Sequence, residues 1–375
     1  MDDSYWAYPL IVIGASLIIF TIIKTHWPEA VKSTKQYSSL PPPPNPRAAS
    51  GVHGPPVGGG NPLPNGMTSR GHALPAATTH PVQPPAFDNS SAPPYPKEIK
   101  VKLPDVAPSK GWLCLKASVK GFEKEELQDA HAVRFDGSIA VLVVADGQSR
   151  KKHSKEAADL SVDLVADRLA KQVAAGAISA ATWGAEAKQA FMAANEALVA
   201  KAKDQDVALT EFACTLIAVV ATEQGVHCAH VGDGRAGYLD ADAVFRPLLV
   251  PFKDKDGESN ATVFLTMLTS DTVDRFLQCQ SVPVRSRCLV ALSDGPESVC
   301  WHTATQDKAG KGKIEDPNMP SGEFFEKIAG QLAGASSNNV SQEDLDKLWA
   351  DFLTSGNPAL KAEKDDKTLV LALRG

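Results

Sequence analysis

The chain has 375 residues and 43% hydrophobic content, enough to bury a substantial core in one large domain or two ordinary ones. Its formal net charge of −6 argues against a nucleic-acid backbone as the main partner, because proteins that bind one usually carry a clear basic excess.

The six cysteines form no CxxC pair, and most lie in apolar segments. We therefore predict buried, reduced thiols rather than zinc ligands or a disulfide framework.

The amino-terminal segment predicts a membrane anchor. After the short segment 1–5, positions 6–23 carry the uncharged run WAYPLIVIGASLIIFTII, whose length is close to the minimum for a helix that spans a bilayer. Aspartates precede the run and lysines follow it, so the positive-inside rule places the carboxyl side in the cytoplasm. A signal peptide is the main alternative, but the sequence has neither its basic start nor its small-residue cleavage site. We expect a single-pass protein of the cell (inner) membrane with a cytoplasmic folded domain.

Residues 24–98 predict an extended linker rich in proline and glycine. The stretch from 40 to 97 holds 16 of the chain's 27 prolines, and the run GGG lies at 58–60. With so few large apolar residues this stretch cannot offset the entropy of ordering, and the prolines keep it extended. A Pro-rich segment can also bind an aromatic-lined domain, and the sequence does not decide between these roles. The folded domain is then expected over residues 99–375.

From about residue 100 onward, apolar runs of strand length alternate with helical patterns. Two pairs of runs are separated by the short segments DGS and EQ, which predicts antiparallel hairpins. The predicted strands are Trp112–Val119, Ala132–Phe135, Ile139–Ala145, Ala213–Thr222, Gly225–Val231, Ala236–Leu239, Arg287–Ser293 and Thr368–Leu373.

Helical patterns at about 154–176, 181–203, 321–332 and 341–353 complete the domain. Ser154 is expected to cap the first helix, which ends near Gly176. Ser341 opens the sequence SQED and is expected to cap the last helix in a motif close to a capping box. Hairpins together with separate helix pairs predict an α+β sandwich of two sheets with helices outside, rather than a doubly wound parallel fold.

Four aspartates occupy strand edges. Asp146 ends the strand AVLVVA and Asp294 ends CLVALS, whereas Asp365 precedes TLVLAL and Asp129 precedes AVRF. Strand ends that converge at one rim of a sheet bring carboxylates close together, where they repel unless a cation holds them. Such hard oxygen ligands suit Mg²⁺ or Mn²⁺. Taken singly, ADGQ, GDGR and SDGP are each explained as well by a turn.

The joint order of seven segments resembles the metal-dependent PPM (PP2C-type) serine/threonine protein phosphatases, especially their bacterial branch. The likeness spans about residues 111–374, which is almost the whole predicted domain. The segments are LQDAHAV (127–133), VVADGQSRKKHSKEAA (143–158), FACTLIAVV (212–220), HVGDGRAGYL (230–239), GESNATVFLT (257–266), LVALSDG (289–295) and KDDKTLVLAL (364–373). Seven segments in the family's order make a specific signal, although no single one does.

This resemblance implies a PP2C-like αββα sandwich, in which two antiparallel sheets are flanked by helix pairs. It also implies a centre of two Mn²⁺ or Mg²⁺ ions between the sheets. Asp146 would bridge both ions with the carbonyl of Gly147 on one of them, Asp294 and Asp365 would hold the other, and Asp129 would order a water molecule. Two such ions activate water and clamp phosphoryl oxygens, so no enzyme nucleophile is needed. This agrees with the absence from the sequence of the GxSxG, HExxH and GxxxxGK[ST] motifs.

The chain departs from the family pattern at four positions. Lys124 lies where many members carry an arginine that grips the substrate phosphate; it either binds the phosphate without the bidentate fork of an arginine or is a solvated lysine. Gln128 stands where eukaryotic members often have glutamate. Gln148 stands where they have a general-acid histidine, which bacterial relatives also lack. Ser149 replaces the second glycine of the DGxG pattern, a position where glycine relaxes the backbone angles.

The leading hypothesis is a membrane-tethered phosphatase that hydrolyses phosphoserine and phosphothreonine in cytoplasmic proteins, with a Ser/Thr kinase as the expected partner. The basic run from Arg150 to His153 either attracts phosphorylated peptides or forms a solvated loop, and His131 is interpreted as a packed or exposed strand histidine. Two alternatives stay open. One is a pseudophosphatase that binds phosphoproteins without turnover, and the other is a membrane scaffold whose Pro-rich segment is the functional part.

Overall fold

The computed structural model describes residues 98–106, 111–252, 262–303 and 316–375. The predicted membrane anchor and all of the predicted linker except Glu98 lie outside these residues, as does the part of GESNATVFLT from 257 to 261. No helix within the described ranges is long and apolar enough to cross a bilayer.

The strands of the described residues pair into two antiparallel sheets. In chain order they are β1 Trp112–Val119, β2 Ala130–Asp136, β3 Ile139–Ala145, β4 Leu216–Ala221, β5 Val226–Val231, β6 Arg235–Leu239, β7 Phe245–Pro247, β8 Gln278–Val282, β9 Cys288–Leu292, β10 Trp301–His302, β11 Met319–Pro320 and β12 Lys367–Arg374. The first sheet has the order β1-β12-β9-β6-β7, and the second has the order β2-β3-β4-β5-β8. β10 and β11 form a separate two-stranded ladder.

Helices cover the outer face of each sheet. The helices of the described residues are α1 Ser154–Ala174, α2 Trp183–Asp204, α3 Val273–Phe276, α4 Glu297–Cys300, α5 Gly322–Ser337, α6 Gln342–Ser355 and α7 Pro358–Ala362, with short 3₁₀ turns at Leu209–Phe212 and Leu265–Met267. α1 and α2 share one hydrophobic core with the second sheet, and α5 and α6 share another with the first. The predicted α+β class, with two antiparallel sheets and helices, is confirmed.

Side-chain alternation along the strands explains this layering. In β3, Leu142 and Val144 are buried in the core between the two sheets, whereas Val141 and Val143 are buried under α1 and α2. In β12, Val370 joins the core between the sheets, and its neighbours along the strand pack under α5 and α6. A strand that is buried on both faces is a continuous apolar run in the sequence, which is why these strands could be predicted.

The predicted strands all form, with ends displaced by at most three residues. The edge strand β8 is missing from the prediction because its sequence, QCQSV, is only partly buried and has no apolar pattern. The expectation of buried cysteines is wrong for Cys279, which is exposed, although all six cysteines are free and the other five are buried.

One of the two predicted helix caps is wrong. Ser154 lies inside α1 rather than at its cap, because its buried hydroxyl donates to the Lys151 carbonyl at 2.9 Å and accepts from Gln128 Nε2 at 2.7 Å. The cap of α6 is confirmed, since Ser341 Oγ accepts from the N–H of Asp344 at 3.1 Å.

Candidate metal centre

Four aspartates lie at strand ends on one edge of the two sheets. Asp129 directly precedes β2 and Asp146 directly follows β3, and because Ala130 pairs with Ala145 these aspartates flank the same end of one hairpin. Asp294 follows β9 and Asp365 precedes β12, and these two strands are neighbours in the other sheet.

Neighbouring carboxylates of the cluster disfavour the ionisation of Asp146 and Asp294. Burial, followed by the charges of Asp129, Asp294 and Asp365, raises the pKa of Asp146 well above its usual value. Burial and the charges of Asp233, Asp365 and Asp129 likewise raise the pKa of Asp294. Carboxylates shift one another's pKa in this way only when they lie close together. The two sheets therefore bring all four predicted aspartates to one place.

Two carboxylate oxygens in this cluster have no hydrogen-bond partner among the described residues. Asp129 is only 1% exposed; Ser293 Oγ donates to its Oδ2 at 2.7 Å, while its Oδ1 is buried and unpartnered. Oδ1 of Asp294 is also buried and unpartnered. Leaving a buried acceptor without a donor is costly, so two such oxygens in one acidic cluster point to a cation that would bind them.

Asp146 and Gly147 are fixed by the segment before β4. The N–H of Asp146 donates to Thr215 Oγ1 at 3.0 Å, and its carbonyl accepts from the N–H of Thr215 at 2.8 Å. A Cβ at Gly147 would lie 2.7 Å from the carbonyl oxygen of Gln128 and 2.9 Å from that of Ser154. Only glycine fits between these two backbone segments.

The donor set fits a hard divalent cation. Carboxylate oxygens with an adjacent backbone carbonyl, that of Gly147, are the ligands that Mg²⁺ and Mn²⁺ take in proteins. In the described part of the chain, however, no three His, Cys, Asp or Glu side chains already form a group that could hold a metal ion. At least one of the four aspartates, Asp365, is engaged by another residue.

That residue is Lys124, the predicted phosphate-binding residue. Its ammonium contacts the Asp365 carboxylate and lies 3.4 Å from Asp366 Oδ2. Burial lowers the pKa of Lys124, but the hydrogen bond to Asp365 and the nearby acidic charges outweigh burial and raise it overall, so the ammonium stays charged at neutral pH. The structure thus places Lys124 at the acidic cluster rather than in solvent.

Gln128 and Ser149 have structural explanations that the sequence did not reveal. The Gln128 amide donates to Ser154 Oγ at 2.7 Å and to the Lys151 carbonyl at 3.2 Å, and a glutamate could not donate these bonds. The left-handed backbone conformation in this loop lies at Arg150, with φ of 71°, and not at Ser149. A glycine at position 149 is therefore not required.

The nearby basic residues make mainly structural contacts. Lys151 Nζ lies 3.1 Å from Glu211 Oε1, and the ring of His153 stacks on Phe212. His131 hydrogen-bonds a serine hydroxyl of β1 at 2.8 Å, and burial lowers its pKa to about 4, so it is neutral at physiological pH. His131 is a packed strand histidine, as interpreted from the sequence.

Three further residues of the cluster were not predicted as site residues: Asp233, Ser293 and Asp366. Asp233 follows β5 and contributes through its charge to the raised pKa values of Asp146 and Asp294. It lies in the segment GDGR at a strand end, so the criterion that found the other aspartates could have found it too.

The role of Asp366 could not be inferred from sequence spacing. Its two carboxylate oxygens accept backbone N–H groups from Gly121 at 2.8 Å and from Gln128 at 2.7 Å, residues that lie 245 and 238 positions away in the chain. Asp366 therefore anchors the loop that carries Lys124 and leads into Asp129.

The sequence is similar to those of known phosphatases. The family model described as protein phosphatase 2C matches residues 123–348. Serine/threonine-protein phosphatase 3 of Escherichia coli (strain K12) is 28% identical over 235 residues, covering 61% of this chain and 82% of that protein.

Two solved structures are also similar to this chain. The catalytic domain of the serine threonine protein phosphatase PstP, in complex with 2 manganese ions, is 17% identical with a TM-score of 0.43, covering 70% of this chain and 98% of that one. The S. agalactiae serine/threonine phosphatase is 13% identical with a TM-score of 0.48, covering 70% of this chain and 100% of that one.

Proposed function

The chain belongs to the protein phosphatase 2C family, and from this premise we propose that it hydrolyses phosphoserine and phosphothreonine in proteins with two Mn²⁺ or Mg²⁺ ions. The family model covers more than half of the chain, over residues 123–348, so the enzyme class is that of the metal-dependent serine/threonine protein phosphatases. The observation that carries the proposal is the cluster of four strand-end aspartates with two unpartnered buried oxygens.

In the proposed site, Asp146, Asp294 and Asp365 would hold the ions, with the Gly147 carbonyl beside Asp146. Bound divalent cations supply the activation of a water molecule and the neutralisation of phosphoryl oxygens. Asp129 would orient that water, because Ser293 donates to its Oδ2 and its Oδ1 has no hydrogen-bond partner among the described residues.

Lys124 attracts the substrate phosphate in this proposal. Its ammonium is charged and lies at the acidic cluster, so it is the side chain best placed to contribute positive charge there. Gln148 has no proton to give at neutral pH, so the leaving serine or threonine oxygen takes its proton from solvent.

The alternative of a phosphoprotein-binding protein without turnover is not favoured. Two departures that motivated it, Gln128 and Ser149, are accounted for by the hydrogen bonds and backbone angles of the loop after β3. The aspartates on which hydrolysis would depend are all present.

The location of the enzyme is a separate proposal. Residues 6–23 anchor the chain in the cell membrane and the folded domain acts on cytoplasmic phosphoproteins, which a Ser/Thr kinase supplies. The uncharged run and the lysines after it support this.

Protease added to intact spheroplasts should leave the domain uncut, and protease added to inverted vesicles should remove it. The opposite pattern, or recovery of the full chain in the soluble fraction, would contradict the proposal.

The proposed function is tested by measuring phosphate release from a phosphothreonine peptide by the full-length chain. We expect turnover with Mn²⁺ and none with a chelator. Asp294→Asn should lose at least about a hundredfold in turnover, because even residues that only support a metal ligand often cost up to that much. Asp136→Asn, at the exposed far end of the β2–β3 hairpin, is the matched control and should keep full activity. No turnover by the wild type with Mn²⁺ would refute the function.

A further inference from the structure

Lys124 sits between two acidic residues that differ in their freedom to move. Its ammonium contacts the carboxylate of Asp365 and lies 3.4 Å from Oδ2 of Asp366. The Lys124 side chain is only 18% exposed, so this arrangement is part of the folded structure and not a chance surface contact.

Asp366 is fixed in place. Its side chain is fully buried, and each of its oxygens accepts a backbone N–H, from Gly121 and from Gln128. Rotating this carboxylate toward a metal ion would leave one buried and one partly buried N–H group without acceptors, which is costly. Asp366 therefore stays beside Lys124 whatever binds at the cluster.

Asp365 is free by comparison. Its side chain is 37% exposed, and the contacts that the described residues make with its carboxylate, from Lys124 and from the N–H of Asp366, are both to Oδ1. As a predicted metal ligand, Asp365 must bind a cation through the same carboxylate that contacts the Lys124 ammonium. An ammonium and a divalent cation held against one carboxylate repel each other, so each weakens the binding of the other.

We propose that Lys124 and a divalent cation compete for Asp365, and that Asp366 keeps the displaced ammonium beside the site. The inference rests on the proposed function. It adds an order of events: the metal-free cluster is closed internally by Lys124, metal binding at Asp365 releases the ammonium, and the released ammonium then binds the substrate phosphate. Phosphate binding by Lys124 thereby depends on metal occupancy.

The test is the affinity of the full-length chain for Mn²⁺, measured by calorimetry without substrate. Lys124→Met removes the competing charge and keeps the apolar stem, so it should bind Mn²⁺ about tenfold more tightly, a typical size for coupling between two binding events. Lys120→Met is the matched control, because Lys120 lies in the same loop, is exposed and donates to the Glu125 carbonyl rather than to the acidic cluster. It should bind Mn²⁺ as the wild type does.

A double-mutant cycle with Asp365→Asn locates the effect, since the gain from Lys124→Met should disappear when Asp365 is already neutral. Inorganic phosphate gives a second measurement: Lys124→Met should weaken phosphate binding in the presence of Mn²⁺ and leave it unchanged in chelator. If Lys124→Met does not fold, Lys124→Gln provides the same comparison.

The possible outcomes separate the two proposals. Unchanged or weaker Mn²⁺ binding by both Lys124 variants, with normal Mn²⁺ binding and turnover by the wild type, overturns the competition and leaves the phosphatase function standing. A wild type that binds no Mn²⁺ overturns both. A gain that persists in the Asp365→Asn background overturns the assignment of Asp365 as the shared carboxylate.

Discussion

At the scale of single residues, Asp146 shows how a functional site works against stability. Its carboxylate is placed near three others, and burial together with their charges disfavours its ionised form. An Asp-Gly pair at a strand end is ordinarily a turn, where the acid would face water at little cost. Here the fold keeps four acids together, which is unfavourable without a bound cation.

Asp146→Asn should therefore stabilise the metal-free protein. Removing one of several repelling charges should raise the free energy of unfolding by on the order of 1 kcal/mol, the equivalent of a shift of about one pKa unit. Urea denaturation in chelator measures this, with Asp136→Asn as a control that should change little because Asp136 is exposed. A clear loss of stability in Asp146→Asn would mean that its carboxylate makes favourable contacts in the metal-free state.

The stability of the metal-free protein should depend on pH through Asp294. Burial and the charges of Asp233 and Asp365 raise the pKa of Asp294 to about 8. The folded state thus holds a proton that the unfolded chain, with an ordinary aspartate pKa of about 4, has already released. The stability that this proton contributes is fully present below about pH 4 and is lost progressively as pH rises to about 8, above which no further loss is expected.

In chelator, the free energy of unfolding should fall between about pH 7 and about pH 8, and the fall should be smaller in Asp294→Asn. Buried histidines with lowered pKa, such as His131 and His230, act in the opposite direction but are neutral in both states above about pH 7. The buried cysteines are present in both the wild type and Asp294→Asn, so their effect on stability cancels when the two proteins are compared. Identical slopes for the wild type and the variant would show that Asp294 is ionised throughout this range.

At the scale of structural elements, the start of β12 and the loop between β1 and β2 form one unit. The N–H of Phe122 donates to the Glu363 carbonyl at 2.7 Å, and Lys367 Nζ donates to the Lys120 carbonyl at 3.2 Å. On the other side, a Cβ at Gly295 would lie 2.0 Å from the Asp366 carbonyl oxygen, so the turn after β9 must have glycine there. The predicted ligands Asp294 and Asp365 are positioned by this close packing.

Asp366→Asn tests this unit. An asparagine offers one acceptor oxygen and turns an NH₂ group toward one of the two backbone N–H donors, so one buried bond is replaced by a clash of donors. The free energy of unfolding should fall by about 1 to 3 kcal/mol, the usual cost of an unsatisfied buried group. Asp163→Asn, an exposed aspartate on α1, is the control for denaturation. A change below about 0.5 kcal/mol, typical of surface substitutions, would show that Asp366 does not hold the loop.

At the scale of the whole molecule, the buried strands inside the two sheets were predicted from the sequence better than the strands at the sheet edges. Runs such as β3 and β12 are apolar on both faces because they lie between helices and a second sheet, and that burial is visible in composition alone. β8 has no such signature, since it exists only because β5 offers an unpaired edge. Ser154 was wrongly predicted to cap a helix. Its hydroxyl accepts a hydrogen bond from Gln128, which is distant in the sequence.

The acidic cluster was predictable for a similar reason, and its details were not. Strand ends can be located from the sequence, so Asp129, Asp146, Asp294 and Asp365 could be proposed together. The contact of Lys124 with Asp365 and the anchoring by Asp366 join segments more than 230 residues apart. Such contacts depend on how the sheets pack, which residue spacing does not encode.

The proposed function requires that the strand-end aspartates hold divalent cations. This requirement can be tested by anomalous diffraction from crystals of the protein soaked in Mn²⁺. We predict two manganese peaks within coordination distance of Asp146, Asp294 and Asp365, with Lys124 turned away from Asp365. Manganese peaks at other sites only, or an acidic cluster without manganese and with Lys124 still bound to Asp365, would contradict the account.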